Sequence, residues 1–172
     1  MTQEELLKNV FIPLATAKDI NIAQGKYIIS ALVEYQRSLY EADLPVEVPT
    51  QSFCIRFLAD VKEFLSMQMM LQYQSFNDSL EIAQALAYTR NKGYPSALQW
   101  AIDMYHRIKR PGDVIRLLLN TEKVKEVLRY VEQVKVKGVS VIHILEVVKR
   151  LPEVDKEKYL RYFIKVSVLF IG

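Results

Sequence analysis

The chain has 172 residues, 51% of them hydrophobic and 25% charged, with a formal net charge of +3. That balance suits a soluble globular protein and excludes a disordered one. A lone cysteine (Cys54) and two histidines exclude an internal disulfide and a Cys/His zinc centre, and they fit a cytoplasmic or nuclear compartment. Five isolated glycines, about 3% against a usual 7%, exclude the Gly-rich phosphate loops GxGxxG and GxxxxGK[ST].

Few glycines and six prolines point to an all-α chain, and apolar residues recur at the spacing of one helix face almost throughout. Thr2 and Glu5 have capping-box spacing, and Pro13 is expected to end the first helix. A long helix follows over Ile22–Tyr40. Leu44–Pro49 reads as a loop, because each proline pushes its predecessor towards an extended conformation. Thr50 is expected to cap one helix running to about Gln72, buried on both sides. Asp78 and Glu81 form a second capping-box pattern before Leu80–Tyr88, with Gly93 as the left-handed residue closing that helix.

Pro95 suits the first turn of the next helix, whose apolar face carries Leu98, Ala101, Ile102, Tyr105 and Ile108. Pro111–Asp113 reads as a turn before a short helix, Val114–Leu119. Thr121 is expected to cap the helix with Val124, Val127, Leu128 and Val131. Helices over Val141–Arg150 and from Lys156 to about Ile171 complete some nine. Short connectors favour antiparallel hairpins stacked as an irregular α-solenoid, similar to clathrin or vacuolar-sorting repeats, with an orthogonal bundle as the structural alternative.

Nothing at the start resembles a secretory or mitochondrial leader. The longest apolar stretch, Val166–Ile171, falls far short of the roughly 20 residues of a membrane span. Residues 1–95 carry eight basic and eleven acidic side chains, while residues 96–172 carry 15 and nine. The second part is thus a basic surface, either simply solvated or facing an acidic partner, lipid head groups or nucleic acid.

Catalytic chemistry is sparse. His106 has Asp103 at i−3 but no nucleophile nearby in sequence. His143 sits among aliphatic residues, and Cys54 reads as a core thiol. Glu4/Glu5 and Asp60/Glu63 have exposed helical spacing with no histidine beside them. No cofactor, metal site or small-molecule substrate is expected. The candidates for partner binding are Trp100, the basic run Arg107, Lys109, Arg110 and Arg116, and the apolar end Leu169, Phe170 and Ile171. Leu169, Phe170 and Ile171 are expected to dock on another subunit or on a second copy of the chain. The Met67, Met69 and Met70 cluster with Phe64 and Tyr73 reads either as core or as an adaptable binding surface.

Five segments, taken in order, resemble one family. They are Phe11–Ala15, Ala31–Leu39, Tyr94–Arg107, Val114–Leu119 and Val127–Val131. Their order along Leu6–Tyr162 is similar to that of the Mic-like C-terminal helical domain, the regulatory third subunit of the Mon–Ccz complex. The resemblance implies a non-catalytic scaffold in a guanine-nucleotide exchange complex for a late-endosomal Rab GTPase. It places the protein in the cytoplasm, peripheral to late endosomes and lysosomes, and in endosome maturation and autophagy. It implies the Mon–Ccz heterodimer as partner and no catalytic residues. It also implies that the 172 residues form one helical domain, the C-terminal part of a larger propeller-plus-solenoid protein. A nucleic-acid-binding helical repeat using the basic part is the first rival, and a hydrolase the second.

Overall fold

The computed structural model describes residues 2–17, 21–73, 76–134, 149, 156–157 and 160–161. Its residues cluster into two compact units, Met1–Met104 and Tyr105–Gly172. Among the described residues all regular structure is helical. The expected helices Val141–Arg150 and Lys156–Ile171 lie mostly outside the described residues.

The first unit opens with helix α1, Gln3–Leu6, capped by the expected Thr2/Glu5 box. Pro13 does not end the helical run, contrary to expectation. Residues Leu7–Phe11 widen into a π-turn closed by the Ile12 N–H on the Leu7 carbonyl. Helix α2, Ile12–Thr16, continues the run without a capped start, with Pro13 in its first turn after the π-turn. There the missing N–H needs no acceptor, so the proline is tolerated.

Helix α3, Ile22–Glu41, starts at a capping box of Asn21 and Gln24. It buries one stripe, Ile28, Ile29, Leu32, Gln36 and Leu39. Helix α4, Val48–Asp60, takes Pro49 into its first turn, which shortens the expected loop. Thr50 is therefore inside the helix and buried, not its cap. Helix α4 packs most extensively on helix α6, Leu80–Asn91. Leu58, Ile55, Ile82 and Leu86 are fully buried in this layer. Ser79, not Asp78, caps α6, because its extended backbone lets the hydroxyl accept from the Ile82 N–H.

The expected single helix from Thr50 to Gln72 is two. Helix α4 stops at Asp60 and helix α5 runs from Phe64 to Gln72. The break is a left-handed Lys62, φ 62°. The Lys62 N–H bonds the Ala59 carbonyl, and the Glu63 N–H bonds the Leu58 carbonyl. This is a Schellman closure. It recurs at Asp43, Lys109 and Glu122, all with positive φ and with the same pair of closing bonds. Glycine, the usual residue at such a position, serves only at Gly93 among the described residues, as expected. For a side chain with a Cβ this conformation costs roughly 1 kcal/mol or more. Lys62→Gly is therefore expected to stabilise the fold by about 0.5–1 kcal/mol, net of the entropy glycine adds to the unfolded chain. Thermal melting checks this, with Lys62→Ala as a control that should gain nothing.

Helix α7, Ala97–Arg107, is entered through tight turns at Tyr94–Ser96, so Pro95 precedes it. Within the first unit α7 buries Ala97, Leu98, Ala101 and Met104. The second unit begins in its last turn. Helix α8 spans Pro111–Asn120, so Pro111–Asp113 is its first turn and not a separate bend. The chain turns instead at the left-handed Lys109. Thr121 closes α8 by donating its hydroxyl to the Leu118 carbonyl, rather than capping the next helix. Helix α9, Val124–Val134, packs on α8. Val114, Val124 and Val127 form the buried centre of this pair, with Ile115 and Leu118 beside them.

Candidate interaction surfaces

The groups with chemistry in the sequence are held in structural pairings. Cys54 is fully buried in α4, and burial pushes its thiol up to about 12. The Asp60 carboxylate accepts from the Tyr88 hydroxyl at 2.8 Å and pairs with Lys92 at 2.7 Å. Glu63 pairs with Lys26 at 3.0 Å, and Glu4 with Lys8. His106 is exposed and lies 3.4 Å from the Tyr130 hydroxyl through Nδ1. Asp103 does not orient it; its carboxylate accepts from Gln99 instead. Among the described residues no three His, Cys, Asp or Glu side chains gather as a metal would need. His143 lies outside the described residues.

Trp100 is half-buried and ends an aromatic row. The Phe64 ring stacks on Tyr94 at 4.7 Å, and Tyr94 meets Trp100 at 5.4 Å. The Tyr94 hydroxyl donates to Gln68 Oε1 at 3.3 Å. Trp100 is thus partly engaged in anchoring the turn before α7 to α5. Tyr94 carries no such signal in the sequence, since the residue between Gly93 and Pro95 reads as loop.

The basic run is less free than its composition suggests. Arg110 pairs with Asp113 at 2.8 Å, and Arg116 lies 3.9 Å from the same residue. One carboxylate in the first turn of α8 therefore balances part of the run, where the helix dipole also favours it. Lys109 and Arg107 are exposed. Trp100 belongs to the first unit and Arg107, Lys109 and Arg110 to the second.

The methionine cluster divides. Met67 is fully buried, with its sulfur 3.9 Å from the Thr89 hydroxyl. Met69 is about half exposed, and Leu65 and Tyr73 more so. The expectation of burial on both sides thus holds for α4 but fails for α5. Splitting the helix at Lys62 turns the two halves independently, and α5 leaves these three side chains on its uncovered side. Leu65 carries no sequence signal of exposure, because leucine at helical spacing reads as core. Leu169, Phe170 and Ile171 lie outside the described residues.

Comparison with known proteins gives a consistent answer. The profile of the family described as "Regulator of MON1-CCZ1 complex, C-terminal" matches residues 1–159. A mouse protein (Mus musculus) named "Regulator of MON1-CCZ1 complex" is 28% identical over 130 residues, covering 75% of this chain and 19% of its own length. The human protein (Homo sapiens) of that name is 30% identical over 107 residues, 62% of this chain and 16% of its own. A Dictyostelium discoideum homologue is 30% identical over 112 residues, 64% of this chain and 11% of its own. The chain thus spans about a fifth or less of the length of these relatives. No solved structure matches it. With the profile running through nearly all of the sequence, the chain belongs to the family of C-terminal regions of regulators of the MON1–CCZ1 complex.

Proposed function

We propose that this chain is a non-catalytic helical module, stacked as an α-solenoid, that binds the MON1–CCZ1 pair and supports its exchange of guanine nucleotide on a Rab GTPase. It would work in the cytoplasm at the surface of late endosomes and lysosomes, in endosome maturation and autophagy. The observation that carries the reading is the family match over residues 1–159. The structural pairing of Asp60, Glu63 and Asp103 supports a scaffold rather than an acid–base role. The test is binding of purified MON1–CCZ1 to the immobilised chain, with Rab nucleotide exchange measured with and without it. Retention of the pair, with exchange that proceeds on MON1–CCZ1 alone, is the expected result. Absence of binding, or exchange by this chain alone, would overturn the reading.

The basic run is proposed to face an acidic surface of that pair. Arg107→Glu with Lys109→Glu is then expected to weaken binding several-fold at low ionic strength, with little effect near 1 M salt, where the screening length is only about 3 Å. Equal binding at both salt concentrations would make these two side chains ordinary solvated charges.

A further inference from the structure

We propose that the outer face of α5 docks the apolar face of an amphipathic helix from a partner protein. Leu65 and Met69 lie at i and i+4 on this helix and Tyr73 follows at i+8 as its C-cap; they are 70%, 48% and 76% exposed. Apolar side chains scattered singly on a surface are ordinary; three in register along one helix are a patch. Their row is an i±4 ridge, the form that fits the groove between rows of a second helix.

The opposite face holds α5 in place. Phe64 stacks on Tyr94, Gln68 accepts from the Tyr94 hydroxyl, and Met67 is fully buried. The ridge is therefore presented on a fixed support, and docking requires little ordering of the helix itself. Two of its three side chains are also of types suited to recognition. Methionine adapts to irregular surfaces, and tyrosine brings an apolar ring with a polar tip.

Charge and area select the occupant. Residues 64–77 contain no charged side chain, in a chain that is 25% charged overall. The adjoining Glu63 is already paired with Lys26. Nucleic acid and anionic lipid both need lysine or arginine at the contact, and residues 64–77 supply none. The exposed part of the three side chains comes to roughly 350 Å², taking about 150–250 Å² for each large side chain. A stable dimer buries about 800 Å² on each copy. The ridge is too small to hold a second copy of the chain by itself, but it suits two or three turns of one helix, the helix-in-groove mode of recognition.

Because the proposal rests on the functional reading above, the probe is the purified MON1–CCZ1 pair. Leu65→Asp/Tyr73→Asp places two charges on exposed positions, so circular dichroism and melting should match the parent chain. Met69→Glu serves as a second variant should the first unfold. A photo-crosslinking phenylalanine at position 73 identifies the contact. Binding reduced at least ten-fold, with a crosslink to a helical segment carrying apolar residues at i, i+3 or i+4, is the expected result. Undiminished binding by both variants overturns the docking face and leaves the proposed function standing. Failure of the parent chain to bind overturns both. A concentration-dependent dimer abolished by the same substitutions, or flotation with uncharged vesicles abolished by them, also overturns this choice of occupant.

Discussion

Gln51→Ala is expected to destabilise the fold by about 3 kcal/mol, lowering the melting temperature by roughly 6–12 °C. The side chain is fully buried. Its amide donates to the Val46 carbonyl at 3.1 Å, and its oxygen accepts from the Asn77 N–H at 2.8 Å. It thus ties the approach to α4 and the approach to α6 to the same point of α4. Truncation strands the buried Val46 carbonyl, which costs about 1–3 kcal/mol, removes the part-buried bond to the Asn77 N–H, and leaves a cavity where the amide packed. Gln51→Met keeps the length and apolar contacts, so it isolates the two hydrogen bonds. Urea unfolding of both variants checks this. A methionine variant within about 0.5 kcal/mol of the parent would show that the bonds contribute little. Gln3 makes a parallel link, donating to the Pro45 carbonyl at 2.7 Å and accepting from the Glu47 N–H at 2.9 Å. Those bonds are exposed, and water can replace them, so Gln3→Ala is expected to cost only about 1 kcal/mol.

Cys54 is expected to link stability to alkaline pH. Burial raises its thiol from 9.0 to about 12. The folded state therefore favours the neutral thiol. Its contribution is fully present below pH 9, the unfolded value, and is lost as pH rises towards the folded value near 12. The slope approaches about 1.4 kcal/mol per pH unit. Lysines and tyrosines titrate in the same window, so the measurement is the difference from Cys54→Ala. The stability of the parent relative to this variant should fall by about 1.4 kcal/mol between about pH 8 and pH 10. Parallel pH profiles for the two proteins would mean that the thiol titrates normally. The same burial predicts that a thiol reagent labels the native protein only as fast as it opens. Prompt labelling at about pH 8 would contradict the burial.

Local chemistry by itself determined the all-helical class, the start at Thr2 and Glu5, the apolar stripes of α7 to α9 and the stop at Gly93. Each depends on residues within a turn or two of one another. Helical periodicity and capping act over that range, and a glycine at a left-handed position needs no outside support. The same reasoning fails at Lys62, where nothing in the sequence marks a break. A lysine accepts φ 62° there because Schellman bonds close the end of α4 and buried residues hold the helices on either side. Packing, not propensity, offsets the strain in that backbone. Pro13, Pro49 and Pro111 show the complementary failure. Each reads as interrupting or delaying a helix, yet each sits in a first turn, where the missing N–H has no cost. Which end of a helix a proline marks depends on where the neighbouring helices pack. Tertiary contacts decided the candidate surfaces in the same way. Trp100 could be named from its type, but the ring contact with Tyr94 comes from the fold. The pairing of Arg110 and Arg116 with Asp113, by contrast, is local, at i,i+3 spacing on either side of the carboxylate. Leu65, Met69 and Tyr73 are apolar in either case; only the tertiary break at Lys62 turns them outward, because exposure depends on which neighbours a helix lacks, and no local pattern encodes that.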